Sequence, residues 1–244
     1  MSPRITLATA ARVLRQLRGD RRTVALLMVV PSALMVLLRY VLDSDTQTFD
    51  QIGLQLLGIF PFVTMFLVTS VAMLRERTSG TLERLLTTRL AKLDLLVGYA
   101  LAFGLTALAQ VGIATAITMG WLGLHIVGGV GWAVTLAVGS ALLGMALGLF
   151  VSAFATTEFQ AVQFMPAVVL PQLLLCGLLV PRDHMLDVLH WASDVLPLSY
   201  VVDGMARAQT STASGGLLGD LGVVVGCILA ALGLGAVTLR RRTP

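Results

Sequence analysis

The chain has 244 residues, of which 57% are hydrophobic and only 12% are charged. Soluble domains usually carry about 25% charged residues, so this composition excludes a protein whose whole surface faces water. The net charge of +4 would suggest nucleic-acid binding in a soluble protein. Here the basic clusters flank apolar runs, which is typical of membrane proteins, and no nucleic-acid partner is expected.

The apolar runs predict the fold class, an all-α integral membrane protein with six transmembrane helices. A helix needs about 20 apolar residues to cross a bilayer. Runs of that length cover 23–42, 52–74, 95–119, 132–154, 161–181 and 217–239. The run at 161–181 gives the weakest signal because it is short and contains Pro166 and Pro171.

The basic residues predict the orientation. Most of the 17 Lys and Arg residues lie before the first run, between the second and third runs, or after the sixth. Because such segments stay in the cytoplasm, we expect both termini inside and the spans in the cytoplasmic (inner) membrane. The first twenty residues lack the apolar core of a cleavable signal peptide.

Residues 5–18 predict an amphipathic helix that precedes the first span. Leu7, Ala10, Leu14 and Leu17 recur at spacings of three and four, and arginines lie between them. Such a helix either rests in the headgroup layer or serves only as a basic topology anchor. The predicted organisation is therefore a cytoplasmic segment 1–22, a transmembrane domain 23–239 and a cytoplasmic tail 240–244.

The connection between the second and third runs predicts a short cytoplasmic helix. Thr78, Ser79 and Gly80 favour a break followed by a helix start. Leu82, Leu85 and Leu86 then share one face, which could dock in a groove of a cytoplasmic partner. The alternative is a solvated basic loop that only fixes the topology.

The connection between the fifth and sixth runs is external in this topology, yet it is rich in apolar residues. Trp191 and Tyr200 belong to residue types that favour the membrane interface. We predict a re-entrant-like hairpin of short helices that dips into the outer leaflet; the alternative is an amphipathic surface loop. The other residues of this predicted hairpin are Pro181, Met185 and Pro197.

Several residues within the runs are candidates for helix packing or for a pathway. Gly144 with Gly148, and Gly222 with Gly226 and Ala230, are spaced for close helix contacts, and a specific dimer interface is the alternative. The polar residues in the middle of spans either join helices by hydrogen bonds or line a pathway; they are Gln55, Thr64, Thr106, Gln110 and Gln163. Cys176 and Cys227 are interpreted as small buried hydrophobic residues rather than a disulfide.

The sequence lacks the motifs of the main catalytic classes. It contains no GxxxxGK[ST] motif, so an ATP-driven process would need a separate ATPase chain. The three histidines, His125, His184 and His190, lack zinc-site spacing, and no metal site or catalytic group is expected. No ionisable residue lies at mid-span, where a secondary transporter usually carries one. A stand-alone secondary transporter or channel and a non-transporting scaffold remain the alternatives.

Two patterns resemble those of ABC-2 type transporter permeases. Segment 75–90 carries the first as Arg75-Glu76, Gly80-Thr81, Glu83 with Arg84, and Leu85-Leu86. The second follows the fifth run as Pro171, Gly177, Pro181, Leu196-Pro197-Leu198, Tyr200, Asp203 and Arg207. The chain is most similar to the daunorubicin-resistance subfamily. It departs from that pattern at Arg89 and Leu186, where prolines are usual.

The resemblance implies the membrane subunit of an exporter for amphipathic drugs, lipids or related hydrophobic compounds. Two permease chains, here a homodimer, would form the pathway in the lipid bilayer. Two separate P-loop ATPase subunits would bind Mg-ATP, so this chain would hold no cofactor. The residues that the resemblance assigns to ATPase coupling are Arg75, Glu76, Gly80, Thr81, Glu83, Arg84, Leu85 and Leu86.

Overall fold

The computed structural model describes residues 3–79, 92–210 and 215–238, and over these residues the chain is helical without strands. In chain order the α-helices are α1 (Pro3–Gly19), α2 (Arg21–Val41), α3 (Thr46–Thr78), α4 (Lys92–Gly120), α5 (Val130–Val151), α6 (Glu158–Leu175), α7 (Asp187–Val195), α8 (Pro197–Thr210) and α9 (Gly215–Thr238). Short 3-10 turns follow α5 at Ser152–Phe154 and precede α7 at Arg182–His184.

Six of the described helices are long and apolar enough to cross a membrane, which confirms the predicted fold class. They are Arg21–Val41, Thr46–Thr78, Asp94–Gly120, Val130–Phe154, Glu158–Leu175 and Gly215–Thr238. The helix α3 has 33 residues, a length of about 50 Å, so it extends well beyond a hydrocarbon core of about 30 Å.

The fifth span is shorter than its apolar run. Its helix ends at Leu175, whereas the run continues to residue 181. Gly177 has a φ of +94°, a left-handed conformation that terminates helices and that glycine adopts without strain. The last part of the run therefore belongs to the hairpin and not to the span.

The start of α2 and the start of α3 share one capping arrangement. The Asp20 carboxylate accepts hydrogen bonds from the Thr23 backbone N–H (3.2 Å) and hydroxyl (2.7 Å). Asp45 accepts the same pair from Thr48, at 2.9 and 2.6 Å. These bonds favour the ionised carboxylates and lower the pKa of both Asp20 and Asp45. The caps place the start of each helix at a definite residue.

A close helix contact joins α3 to α5 through two glycines. A Cβ atom at Gly144 would overlap the Phe62 carbonyl oxygen, and one at Gly148 would lie 2.5 Å from the Phe66 carbonyl oxygen. Only glycine allows the backbones to approach this closely. The predicted packing role of this pair is therefore confirmed.

The small-residue face of α9 behaves differently from that pair. A Cβ atom at Gly222 or Gly226 would meet no atom within 4 Å, and Ala230 is exposed. Within the part of the chain that the structure describes, this face therefore packs against no other helix, and its use as an interface with a second chain stays a prediction. Spacing alone could not show which face of α9 turns towards α5.

The helix predicted over 5–18 is present as α1, and it packs against α4. Its buried residues are Thr6, Thr9, Ala10 and Val13. A Cβ atom at Gly98 of α4 would lie only 2.7 Å from the Thr9 Cβ. Most of the predicted apolar face is packed, since Ala10 is buried and Leu14 and Leu17 are partly buried against the same core, whereas Leu7 is 62% exposed. The close approach to Gly98 is made by the small side chain of Thr9.

Candidate functional site

We define the arginine-rich end as α1, the end of α3 and the start of α4. At this end, the side chain of Arg12 joins all three helices. The Arg12 guanidinium donates to Glu76 Oε1 at 2.9 Å and to the Tyr99 hydroxyl at 3.4 Å. Gln16 donates to the same Glu76 oxygen at 3.1 Å. Because Arg12, Glu76 and Tyr99 belong to α1, α3 and α4, a displacement of α3 is passed directly to the other two helices.

A second contact joins α1 to the start of α4. The Thr6 hydroxyl donates to Asp94 Oδ1 at 3.2 Å, and the Asp94 side chain is buried. Glu76 and Asp94 thus lie on either side of segment 80–91 along the chain, and α1 holds both. Of the predicted coupling residues, the structure describes Arg75 and Glu76. The other six lie outside the described residues: Gly80, Thr81, Glu83, Arg84, Leu85 and Leu86.

Arg75 bridges three further elements at the same end. Its guanidinium pairs with the Glu158 carboxylate through two hydrogen bonds of 2.8 and 3.1 Å, and it lies 4.0 Å from Asp20. The bridge therefore joins the end of α3 to the start of α6 and to the junction of α1 with α2. Arg75 and Glu158 are both more than half exposed. Exposed pairs of this kind contribute at most about 1 kcal/mol, so the bridge can open.

Below this bridge lies a cleft of about 720 Å³, within the size range of ligand pockets. Its body is apolar, and the charged residues of the bridge stand at its mouth. Side chains from α1, α2, α3, α4 and α6 form its wall, among them Leu27, Leu67, Val68, Val71 and Phe103. We call it the cleft.

The structure brings two of the five predicted pathway residues together. Gln110 is fully buried and donates to the Thr64 hydroxyl at 2.6 Å, and Thr64 lines the cleft. The Gln110 Oε1 atom has no hydrogen-bond partner among the described residues. Thr106 is buried and donates to the Ala102 carbonyl of its own helix.

The remaining two predicted pathway residues lie apart from that pair. Gln55 lines a cavity near the hairpin, and Gln163 is exposed on the surface of α6. The five residues therefore do not form one continuous polar track within a single chain. All five residues lie near the middle of their apolar runs, but a mid-run position does not show which face of the helix a residue occupies.

At the hairpin end, defined as residues 176–210, Arg182 holds the short helices together. Its guanidinium pairs with Asp194 of α7 and Asp203 of α8, and it lies 5.7 Å from the centre of the Tyr200 ring. The Tyr200 hydroxyl donates to the Asp194 carbonyl at 2.8 Å. Of the other predicted hairpin residues, Pro181 and Trp191 are exposed, whereas Met185 and Pro197 are partly buried.

A second ion pair joins the hairpin to the last span. Arg207 of α8 pairs with Asp220 of α9, whose side chain is buried. Between the two arginine pairs lies a cavity of about 630 Å³ that Gln55 also lines. Burial raises the pKa of the Asp203 carboxyl, and the nearby Arg182 charge only partly opposes this.

Sequence reasoning missed these pairs. Asp203 and Arg207 were noted as parts of a family pattern, but their partners Arg182, Asp194 and Asp220 were not connected to them. The available signal was chemical, since a charged residue within an apolar stretch is usually paired. The pattern does not show which residue is the partner.

Comparison with known proteins agrees with this architecture. The sequence profile of the family described as "ABC-2 type transporter" matches residues 4–210. The chain is also similar to ABC transporter G family member 20 of Dictyostelium discoideum, with 24% identity over 163 residues, which cover 67% of this chain. The match covers 22% of that relative, so the chain spans about a fifth of its length. The chain therefore belongs to the ABC-2 type transporter family, as a multi-pass membrane permease.

Proposed function

We propose that this chain is the permease subunit of an ATP-driven exporter. It would move amphipathic drugs, lipids or related hydrophobic compounds outwards across the cytoplasmic membrane. Its family membership and its six spans support this role. The arginine-rich segments at one end support a cytoplasmic location for that end and for both termini.

The observation that carries the proposal is the pair of contacts from α1 to either side of segment 80–91. Arg12 holds Glu76, and Thr6 holds Asp94. An ATPase subunit that pushed on this segment would therefore move α1, α3 and α4 together. The sequence has no P-loop, so ATP and Mg²⁺ would bind in a separate P-loop ATPase subunit and this chain would not be catalytic.

A second copy of the permease would complete the pathway. α6 is the most exposed of the candidate spans, and Gln163 and Phe159 lie on its exposed surface. An amide that faces lipid loses its hydrogen bonds with water, so a partner helix that satisfies it is favoured. This supports a homodimer in which the exposed side of α6 faces the partner.

The positions of the two cavities support a single cargo route with one cavity near each end. The cleft opens at the arginine-rich end, and the second cavity lies beneath the hairpin. The Thr64 hydroxyl, which lines the cleft, accepts a hydrogen bond from the buried Gln110. Opening the hairpin would then release cargo on the outer side, while the cleft would admit it on the inner side.

The test is ATP-driven efflux from proteoliposomes that contain the chain and its ATPase subunit. Replacing the coupling residues, as in Glu83→Ala or Gly80→Leu, should leave ATP hydrolysis and assembly intact and abolish most efflux. The control variant Asp187→Asn changes an exposed carboxylate at the hairpin end and should transport normally. Undiminished efflux in both coupling variants would contradict the proposal. Gradient-driven flux by this chain alone would instead support a secondary transporter or channel.

A further inference from the structure

Among the described residues that line the cleft, acidic side chains outnumber basic ones, although the cleft lies at the arginine-rich end. Asp20, Glu76 and Glu158 line the cleft, and Arg75 is the one basic residue among the lining residues that the structure describes. Arg12 pairs with Glu76 but does not itself line the cleft. When Arg12 is included, three acidic side chains stand against two basic ones among these described residues.

Glu76 has an incompletely satisfied carboxylate in this wall. Its side chain is only 10% exposed. Arg12 and Gln16 both donate to Oε1, whereas Oε2 has no hydrogen-bond partner within the described ranges. An unsatisfied charged oxygen in a buried position is costly, so a positive group nearby would be stabilised.

The Arg75 guanidinium shows where a positive group is already favoured. It lies between Glu158 and Asp20 over the mouth of the cleft. Because Arg75 is more than half exposed, its side chain can swing into solvent at little cost. When Arg75 moves away, the carboxylates of Glu158 and Asp20 remain at the mouth, and a ligand cation could pair with them in place of Arg75.

The rest of the cleft matches an apolar ligand body. The wall below the mouth is formed by residues such as Leu27, Leu67, Val68 and Phe103. Aromatic and aliphatic walls with a few placed charges are typical of ligand sites. A positive charge held near carboxylates in such surroundings is attracted more strongly than it would be in water.

We propose that the cleft binds lipophilic cations. The apolar body of the ligand would lie against α2, α3 and α4, and its positive charge would lie beside Glu76, Glu158 and Asp20 in place of Arg75. This narrows the cargo to cationic amphiphiles and excludes lipids with a net negative headgroup. As a statement about cargo, it rests on the proposed export function.

The probe is tetraphenylphosphonium, a permanently charged lipophilic cation. Binding of the radiolabelled compound to the full chain in phosphatidylcholine nanodiscs is measured by scintillation proximity, with empty nanodiscs subtracted. Tetraphenylborate, an anion of almost the same shape, is titrated separately. We expect saturable binding of the cation and no saturable binding of the anion. Equal affinity for both ions would overturn the proposal.

Charge-removing variants test the three carboxylates. Glu76→Gln should weaken tetraphenylphosphonium binding about tenfold, because it removes one of the three carboxylate charges that attract a cation in surroundings less polar than water. Because Glu76 also holds Arg12, Glu158→Gln and Asp20→Ser provide tests that do not depend on that pair. Ser retains the capping role of Asp20 without its charge. Asp187→Asn is the matched control and should bind normally. Binding within twofold of wild type in Glu158→Gln and Asp20→Ser would overturn the proposal.

A steric pair tests the location of the site. Val71→Phe would fill the cleft and should abolish saturable binding. Val223→Phe places the same ring on the exposed face of α9 and should leave binding unchanged. Unchanged binding in Val71→Phe would overturn the assignment to the cleft.

The inference and the proposed function can fail separately. Efflux of a neutral amphiphile driven by ATP, without saturable cation binding, would refute only the inference about the cleft. Saturable cation binding without any ATP-driven flux would refute the export function and leave the binding site in place.

Discussion

The arginine-rich end and the hairpin end both use arginine–carboxylate pairs, but the pairs differ in how far apart their partners lie along the chain. At the arginine-rich end, Arg12–Glu76 and Arg75–Glu158 join helices that are distant in sequence. At the hairpin end, Arg182 joins residues of neighbouring short helices and is only 12% exposed. Burial does not separate the two ends, because the Arg12 and Glu76 side chains are 26% and 10% exposed and those of Arg182 and Asp203 are 12% and 27% exposed. Long-range pairs suit an end that moves as a unit, whereas local pairs suit a cover that opens as a whole.

The largest expected effect comes from removing the buried hairpin arginine. Arg182→Ala would leave Asp203 and Asp194 without their partner, and breaking a buried pair costs about 3–5 kcal/mol. We expect a fall of about 3 kcal/mol in the free energy of unfolding, measured by denaturant titration in micelles, because Asp203 can take up a proton. Asp187→Asn should change it by less than about 0.5 kcal/mol. A loss below about 1 kcal/mol would show that Arg182 does not hold the hairpin.

The next effect concerns α3 and α5, the closely packed pair that connects the two ends. Gly144→Ala would force a methyl group against the Phe62 backbone and should lower the free energy of unfolding by about 1–3 kcal/mol. Gly222→Ala makes the same change on the exposed face of α9 and should be neutral or slightly stabilising. The same denaturant titration compares them, and equal effects would contradict the close α3–α5 contact.

A smaller effect tests how α1 is held at the arginine-rich end. Arg12→Ala removes a charge-assisted hydrogen bond, which should increase transient opening of α1 about tenfold. Opening is read from maleimide labelling at Thr9→Cys, a buried position, after replacement of Cys176 and Cys227 by alanine. Arg15→Ala is the control, because within the described ranges the Arg15 side chain donates to the Ala11 carbonyl of its own helix. Equal labelling rates in the two variants would show that Arg12 does not anchor the helix.

The smallest effect is a pH response at the start of α3. Because the folded-state pKa of Asp45 is lowered, its capping contribution is complete above the unfolded value of about 3.9 and is lost as pH falls through the folded value. Hydrogen-exchange protection of amides 46–49, corrected for intrinsic rates, should therefore decrease below about pH 4. Asp45→Asn keeps a cap without a titrating group and should remove the pH dependence. Protection that is independent of pH in the wild type would contradict this cap.

Elements set by local pattern could be predicted from the sequence, whereas contacts between distant residues could not. Apolar run length is enough to predict six spans, and the alternation of Arg and apolar residues predicts α1. The spacing of Gly144 and Gly148 marks a helix contact, yet the same spacing at Gly222 and Gly226 marks an exposed face. The spacing of small residues shows which helix face can accept a close neighbour, but it does not show whether a neighbouring helix lies on that face.

The candidate site was predictable only in part for the same reason. Arg75 and Glu76 were identified by the family pattern, and the structure shows their partners Glu158 and Arg12. These partners are far away in sequence, so no local pattern connects them. The end of the fifth span was misplaced because hydropathy does not register that Gly177 adopts a left-handed conformation.

We propose above all that the α1 contacts carry the stroke of an ATPase subunit into the membrane helices. The most direct measurement is the amount of cargo exported per ATP hydrolysed by the reconstituted complex, compared between the wild type and Arg12→Ala. A lost coupling free energy of about 1 kcal/mol predicts continued hydrolysis with about fivefold less cargo per ATP. An unchanged ratio of cargo to ATP in Arg12→Ala would contradict the claim.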